Sequence, residues 1–316
     1  MRLWTFCLVV LVTTAPLLCQ TDSVTLETPT GTLHGTLQIP EHQTEPVPLV
    51  IIHVGSGPTD RDGNNAMMKN NSLLMLADSL DKAFIASLRY DKRGVAASQD
   101  AAIPETELRF ENFVEDLKGW IDAYADDERF SRIILAGHSE GSLISLLAAI
   151  DRQEAVDGWI SIAGPARPAP EILRDQLSKQ PPMVKDMAFP ILDSLEQGME
   201  VREVNPMLNS LFRPSVQPYL ISWFKYDPQK EITKLDMPAL IVQGTNDIQV
   251  PTEEATLFAE AGGEDTQMIL LENMNHVLKV TEATDQAGQM AVYMNPELPI
   301  HPDLTSAIAA FIFAIP

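Results

Sequence analysis

The stretch from Ser131 to Leu147 constrains this chain more than any other. Ile133-Ile134-Leu135-Ala136 is a short apolar run of buried-strand type. It breaks at Gly137-His138-Ser139-Glu140-Gly141, and Leu143, Ile144, Leu146, Leu147 and Ile150 then recur at helical spacing. Alone, the pentapeptide fits any glycine-bracketed turn. With a strand before it and a helix after it, Gly-x-Ser-x-Gly reads as a sharp corner that lifts a serine hydroxyl above the carboxyl edge of a sheet. Gly137 and Gly141 have no side chains, so strand and helix can approach closely and Ser139 can adopt a strained backbone.

The rest of the chain supplies the sheet that such a corner needs. Val24–Glu27 and Leu33–Leu37 flank Pro29-Thr30-Gly31 as a hairpin, and Pro46 to Pro48 reads as a linker. Leu49–Val54 is continuously apolar, as expected of a strand covered on both faces. Strands are also expected over Phe84–Tyr90, Gly158–Ala163, Ala239–Gln243 and Gln267–Glu272. Helices are expected near Ser72–Lys82, Glu111–Tyr124, Glu253–Ala261 and Asp303–Ile315. This alternation predicts an α/β fold with a mostly parallel sheet and helices on both faces. Between about 165 and 233 the rhythm stops. That segment is rich in Pro and Met, offers no strand, and reads either as a helical cap over the sheet's active edge or as peripheral helices.

Net charge is −22, from 44 acidic and 22 basic residues. There is no basic surface to neutralise phosphates, so nucleic acid is not an expected partner. Met1-Arg2, an apolar run from Leu3 to Leu18 and a polar Gln20-Thr21-Asp22 have the layout of a secretory signal peptide over residues 1–19, cleaved after Cys19. An uncleaved anchor and a lipidated Cys19 are the alternatives; Leu18 stands where a lipoprotein signal would carry a small residue. Cys7 and Cys19 both lie in this segment, so a mature chain of 20–316 would contain no thiol or disulfide. The expected setting is secreted or periplasmic, with no stable membrane insertion after cleavage.

A serine hydroxyl becomes a nucleophile when a base takes its proton, and the base is commonly a histidine oriented by a carboxylate. In strand–corner–helix proteins of this kind the order along the chain is Ser, then Asp or Glu, then His. Only His276 and His301 follow Ser139. His276 sits just past the last strand, whereas His301 precedes Pro302 at a helix boundary. Asp247 follows the strand Ala239–Gln243 by one tight turn; the preceding strand ends without a carboxylate, and Asp236 lies before its strand rather than after it. The expected catalytic set is Ser139, Asp247 and His276. The oxyanion donors are expected to be the amides of Glu140, next to the nucleophile, and of Ser56 in Gly55-Ser56-Gly57, with Gly57 as the alternative.

Several stretches together carry a family likeness: Gly55–Asn64, Arg89-Tyr90-Asp91-Lys92-Arg93-Gly94, the corner at Ser139, Gln243–Asp247 and Asn275–Lys279. In this order the chain resembles an α/β-hydrolase superfamily serine esterase, similar to exported bacterial serine hydrolases of the serine aminopeptidase-like group. The resemblance implies the α/β-hydrolase fold, with Ser139 as nucleophile, Asp247 as acid and His276 as base. One departure is Ala96, where the family more often has Gly after Val.

Asp60-Arg61-Asp62-Gly63-Asn64 looks superficially like a calcium loop but lacks the later ligand positions, and a hydrogen-bonded brace is the expectation. No metal or cofactor is expected, and Asn70-Asn71-Ser72 is a glycosylation sequon. The expected activity is hydrolysis of small acyl esters through an acyl-enzyme. A peptidase or amidase using the same residues is the rival, with Glu196, Glu200 or Glu203 available to bind an amino terminus. A non-catalytic binding protein is the rival of another class. Trp223, Phe224 and Tyr226 either line an acyl pocket or pack within the cap.

Overall fold

In a computed structural model, residues 20–41 and 43–316 are described. The proposed signal segment, with both cysteines, lies outside the described residues. The chain forms β1 (Gln20–Thr28), β2 (Gly31–Ile39), β3 (Val47–His53), α1 (Ser72–Lys82), β4 (Ala86–Tyr90), α2 (Phe110–Tyr124), β5 (Phe130–His138), α3 (Glu140–Asp151) and β6 (Gly158–Ile162). Five helices follow without an intervening strand: α4 (Ala169–Ser178), α5 (Pro182–Glu196), α6 (Asn209–Phe212), α7 (Gln217–Trp223) and α8 (Pro228–Ile232). Then come β7 (Ala239–Gly244), α9 (Thr252–Gly262), β8 (Thr266–Leu271), α10 (Gln286–Tyr293) and α11 (Pro302–Ala314).

The eight strands form one sheet in the order β1-β2-β4-β3-β5-β6-β7-β8. The pairs β1/β2 and β2/β4 are antiparallel, and every later pair is parallel. The continuous apolar runs follow from burial on both faces. In β5, Ile133 and Leu135 join one core with Leu117, Trp120, Trp159 and Phe258, whereas Ile134 and Ala136 face Leu76, Leu80, Phe311 and Ile312. Alternate side chains of one strand thus enter opposite cores, as the two-residue period of a strand requires. Each covering helix contributes one stripe: α1 buries Leu73, Leu76, Ala77 and Leu80, spaced for one face of a helix.

One local expectation is corrected, and two elements are added to the sequence reading. Val47 and Pro48 belong to β3 and are buried, so the linker is shorter than its prolines suggest. Residues 96–101, to which no element was assigned from sequence, form a 3₁₀ turn. Helix α10 was not anticipated, because its buried residues are Gln289 and Tyr293 and it shows no apolar stripe to read.

Candidate active site

The corner after β5 is tight because two backbones touch. A Cβ at Gly137 would stand 2.1 Å from the Gly141 carbonyl oxygen, and one at Gly141 would stand 2.5 Å from that of His53. No side chain fits either position. Between them Ser139 adopts φ 55° and ψ −123°, a conformation held only where the surroundings over-determine it. Glu140 opens α3, where the first N–H groups lack acceptors within the helix. The β3–α1 loop passes alongside: a Cβ on Gly55 would lie 3.1 Å from that of Ser139. Ser56, Gly57, Ser139 and Glu140 line one cleft, and the Ser56 amide makes no hydrogen bond among the described residues.

Asp247 and His276 come from the loops after β7 and β8. His276 Nδ1 is 2.7 Å from Asp247 Oδ2. The second carboxylate oxygen, Oδ1, accepts the amides of Gln249 at 2.8 Å and Val250 at 3.0 Å, and Gln243 Nε2 reaches Oδ2 at 3.2 Å. Burial works against ionisation of this carboxyl. The adjacent imidazole and the hydrogen bonds from His276, Val250 and Gln249 outweigh burial and hold it below the ordinary aspartate value. His276 and Ser139 line one small chamber, although the Ser139 hydroxyl and His276 Nε2 make no hydrogen bond among the described residues. His301 lies apart, capping α11 and bonding the Glu272 carbonyl at 3.1 Å.

Further residues that the sequence reading did not single out shape this edge. His138 Nε2 donates to the His276 carbonyl at 2.8 Å, with the two rings 4.9 Å apart. Burial, reinforced by repulsion from His276, pushes the His138 pKa down to about 4, so this ring stays neutral. Asn275 Nδ2 reaches Gln289 Oε1 at 3.2 Å, and Gln289 Nε2 donates to the Asn246 carbonyl at 3.0 Å. Gln289 of α10 therefore joins the loop bearing Asp247 to the loop bearing His276. Lys92 is buried and donates to the Gly55 carbonyl at 2.5 Å. Its place in Asp91-Lys92-Arg93-Gly94 was a visible signal, since a lysine directly after a buried strand needs a partner.

The Asp60–Asn64 loop uses its carboxylates internally. Asp60 Oδ1 accepts the amides of Asp62 and Asn64, both at 2.9 Å, and Asp62 pairs with Arg89. Arg61 Nη2 meets Asp91 Oδ2 at 2.7 Å, tying this loop to the one that carries Lys92. Ala96, the family departure, has φ 44°, a left-handed conformation that glycine adopts without penalty.

Above Ser139 opens a cleft of about 680 Å³, walled by apolar groups including Phe113, Leu173, Leu211, Val216, Leu220 and Trp223. Trp223 also stacks on Phe110 at 5.8 Å, whereas Tyr226 packs on Phe110 and bonds Glu111; neither Phe224 nor Tyr226 lines the cleft. Glu196, Glu200 and Glu203 are exposed and do not line it. The smaller chamber, about 130 Å³, has a more polar wall that includes Thr59, Asn65, Asn70 and Tyr293 as well as Ser139 and His276.

Residues 69–220 match the family model described as serine aminopeptidase, S33. Esterase EstD of Thermotoga maritima is 27% identical over 261 residues, which make up 78% of this chain and 58% of EstD; the chain thus spans little more than half of that relative. Among solved structures, Est1E from Butyrivibrio proteoclasticus with bound ferulic acid superposes with a TM-score of 0.63 at 18% identity, covering 92% of this chain and 98% of its own. The Pyrococcus furiosus esterase Pf2001 gives 0.57 at 15% identity, covering 94% and 91%. Sheet order, serine corner and the match over residues 69–220 agree: the chain has the α/β-hydrolase fold and is similar to the serine aminopeptidase, S33, family.

Proposed function

We propose that this protein is a serine carboxylic-ester hydrolase acting through Ser139, His276 and Asp247. The observation that carries the reading is the 2.7 Å contact between His276 Nδ1 and an Asp247 carboxylate whose other oxygen is occupied by two backbone amides. With Nδ1–H donated to Asp247, Nε2 presents its lone pair as a base. Ser139 lines the same small chamber as His276, and the reading requires its hydroxyl to turn toward that nitrogen. Ser139 Oγ attacks the ester carbonyl as its proton passes to Nε2. The Ser56 and Glu140 amides hold the oxyanion. Collapse expels the alcohol, which takes the proton from His276, and a water activated by the same nitrogen releases the acid.

The two chambers divide the substrate. The leaving oxygen must reach His276, so the alcohol enters the small chamber that His276 lines, and the acyl group enters the apolar cleft. A cleft of about 680 Å³ has room for acyl groups well beyond the small ones expected from sequence. EstD and Pf2001 are named as esterases, which supports the ester reading. Replacing Ser139 by Ala is expected to abolish p-nitrophenyl butyrate hydrolysis with an unchanged circular dichroism spectrum; retained turnover refutes the assignment. Aminoacyl-anilides assayed in parallel test the peptidase rival, which prevails if they turn over faster than esters. Failure of a fluorophosphonate probe to label Ser139 would instead favour a binding protein. Export through residues 1–19 is part of the proposal, and N-terminal sequencing of the mature protein checks it.

A further inference from the structure

The Gly55 carbonyl and the Ser56 N–H belong to the same peptide unit, which is planar and conjugated. Lys92 places a buried ammonium on that carbonyl at 2.5 Å, while the N–H at the opposite edge has no partner among the described residues. A cation on the oxygen draws density from the nitrogen and strengthens the N–H as a donor, and it also fixes the plane of the unit. The other expected donor is the amide of Glu140, and the Glu140 side chain belongs to the same buried cluster. Its carboxylate accepts the hydroxyl of Tyr219, from α7 above the sheet, at 2.5 Å and is electrostatically coupled to Lys92. The aliphatic walls offer no solvent to screen these charges: Lys92 is 2% and Glu140 4% exposed.

We propose that Lys92, with Glu140 as counter-charge, is the positioning residue of the oxyanion hole, orienting and polarising the Gly55–Ser56 peptide. Tyr219 makes the arrangement continuous with the helices over the cleft. This inference rests on Ser139 being the nucleophile, since only then does charge develop beside the Ser56 amide. It predicts an alkaline limb. Burial pulls the Lys92 pKa down to about 8, with Glu140 pulling the other way. The groups facing Lys92 are Glu140 on α3, which in turn accepts the Tyr219 hydroxyl of α7, His53 on β3 and the Phe113 ring on α2. His53 is lowered well below 6.5, first by burial and then by Lys92, and Tyr219 is raised well above 10, so neither titrates near pH 8. As pH rises through about 8, Lys92 loses the proton that polarises the peptide and kcat falls.

The test follows kcat and KM of the full-length protein across this range for Lys92→Met, Lys92→Arg and Glu140→Gln, with phenylboronic acid as a tetrahedral mimic. Loss of one oxyanion donor costs about 10²–10³ in kcat, so a change acting through one peptide should cost about 10–100-fold. Lys92→Met is expected to lose that factor in kcat and in boronate affinity, to keep KM within about twofold, and to lack the limb near pH 8. Lys92→Arg should retain most of the rate and carry the limb to higher pH, and Glu140→Gln should move it lower. A folded Lys92→Met with wild-type kcat and boronate affinity overturns the proposal. So does Lys92→Arg with an unmoved limb, which decides the matter if the Met variant does not fold. An inactive Ser139→Ala beside an unaffected Lys92→Met removes only this inference; an active Ser139→Ala removes the serine reading itself.

Discussion

The rim of the sheet and the helical layer above it are held by different forces. At the rim, backbone groups and buried polar side chains fix position: Gly137 against Gly141, Asp247 between two amides and an imidazole, Gln289 between two loops. In the helical layer most ties are apolar packing, as of Leu192, Leu195 and Phe212, and exposed ion pairs such as Arg174 with Asp193 and Glu196, with the buried Gln217 amide as an internal polar tie to Val201 and Phe212. Directional contacts set distances to a fraction of an ångström, which proton transfer needs. Apolar contacts set only volume and shape, which suffice to sort acyl groups. Under the proposed function, chemistry and selectivity are separately built here and should be separately breakable.

The largest expected effect is at the rim. Asp247→Asn should cut kcat by about 10⁴-fold, about 5 kcal/mol of barrier, by leaving His276 in the wrong tautomer with the fold intact. Steady-state kinetics beside a thermal melt checks this. The same residue carries a pH signature. Its folded pKa is depressed, so its contribution to stability is present above the ordinary value of 3.8 and is lost as pH falls through its lower folded value. Acid titration of stability should therefore be shallower in the Asn variant.

Next in size is the junction between the two regions. Glu254 of α9 is fully buried and accepts the amides of Ala166 and Arg167 at 2.9 Å each, as well as Arg167 Nε at 2.7 Å, where the chain leaves the sheet for α4. Glu254→Ala strands the buried Ala166 amide and the part-buried Arg167 amide and should cost about 2–3 kcal/mol in chemical denaturation. If the two regions are separable, it should alter acyl-length preference more than kcat. Smaller again, Ala96→Gly relieves an exposed left-handed residue and should raise stability by up to about 1 kcal/mol, less what glycine adds to the unfolded chain's freedom. Smallest is Arg174→Ala, under about 1 kcal/mol despite two acidic partners, because exposed pairs are screened; a larger loss would mean that ion pairs govern the helical layer after all.

The same contrast explains what the sequence shows. Strands such as Leu49–Ile52 are legible because burial on both faces leaves an unbroken apolar run, and α1 and α11 because each buries one stripe. Ser139, Asp247 and His276, the proposed catalytic set, could be picked out because each sits shortly past a strand. The departure at Ala96 was visible too, and the structure puts it on a positive φ. The motif around Lys92 was visible, but its partner Gly55 was not, and His138 and Gln289 leave no local pattern because their partners, His276 and Asn246, lie in other loops. Helix α10 escaped for the same reason: its working face is an amide, not a hydrocarbon. The cleft wall comes from packing among several helices, so sequence pointed to Trp223 but also to Phe224 and Tyr226, which lie elsewhere.

Gln289 has one last consequence. Because one amide side chain grips Asn246 and Asn275 together, the strap between the loops of Asp247 and His276 does not rely on the sheet beneath staying rigid. Heating should then leave turnover intact until the whole molecule melts, so that inactivation and loss of ellipticity share a single midpoint. Replacing that glutamine by leucine should pull the two curves apart, with activity fading first.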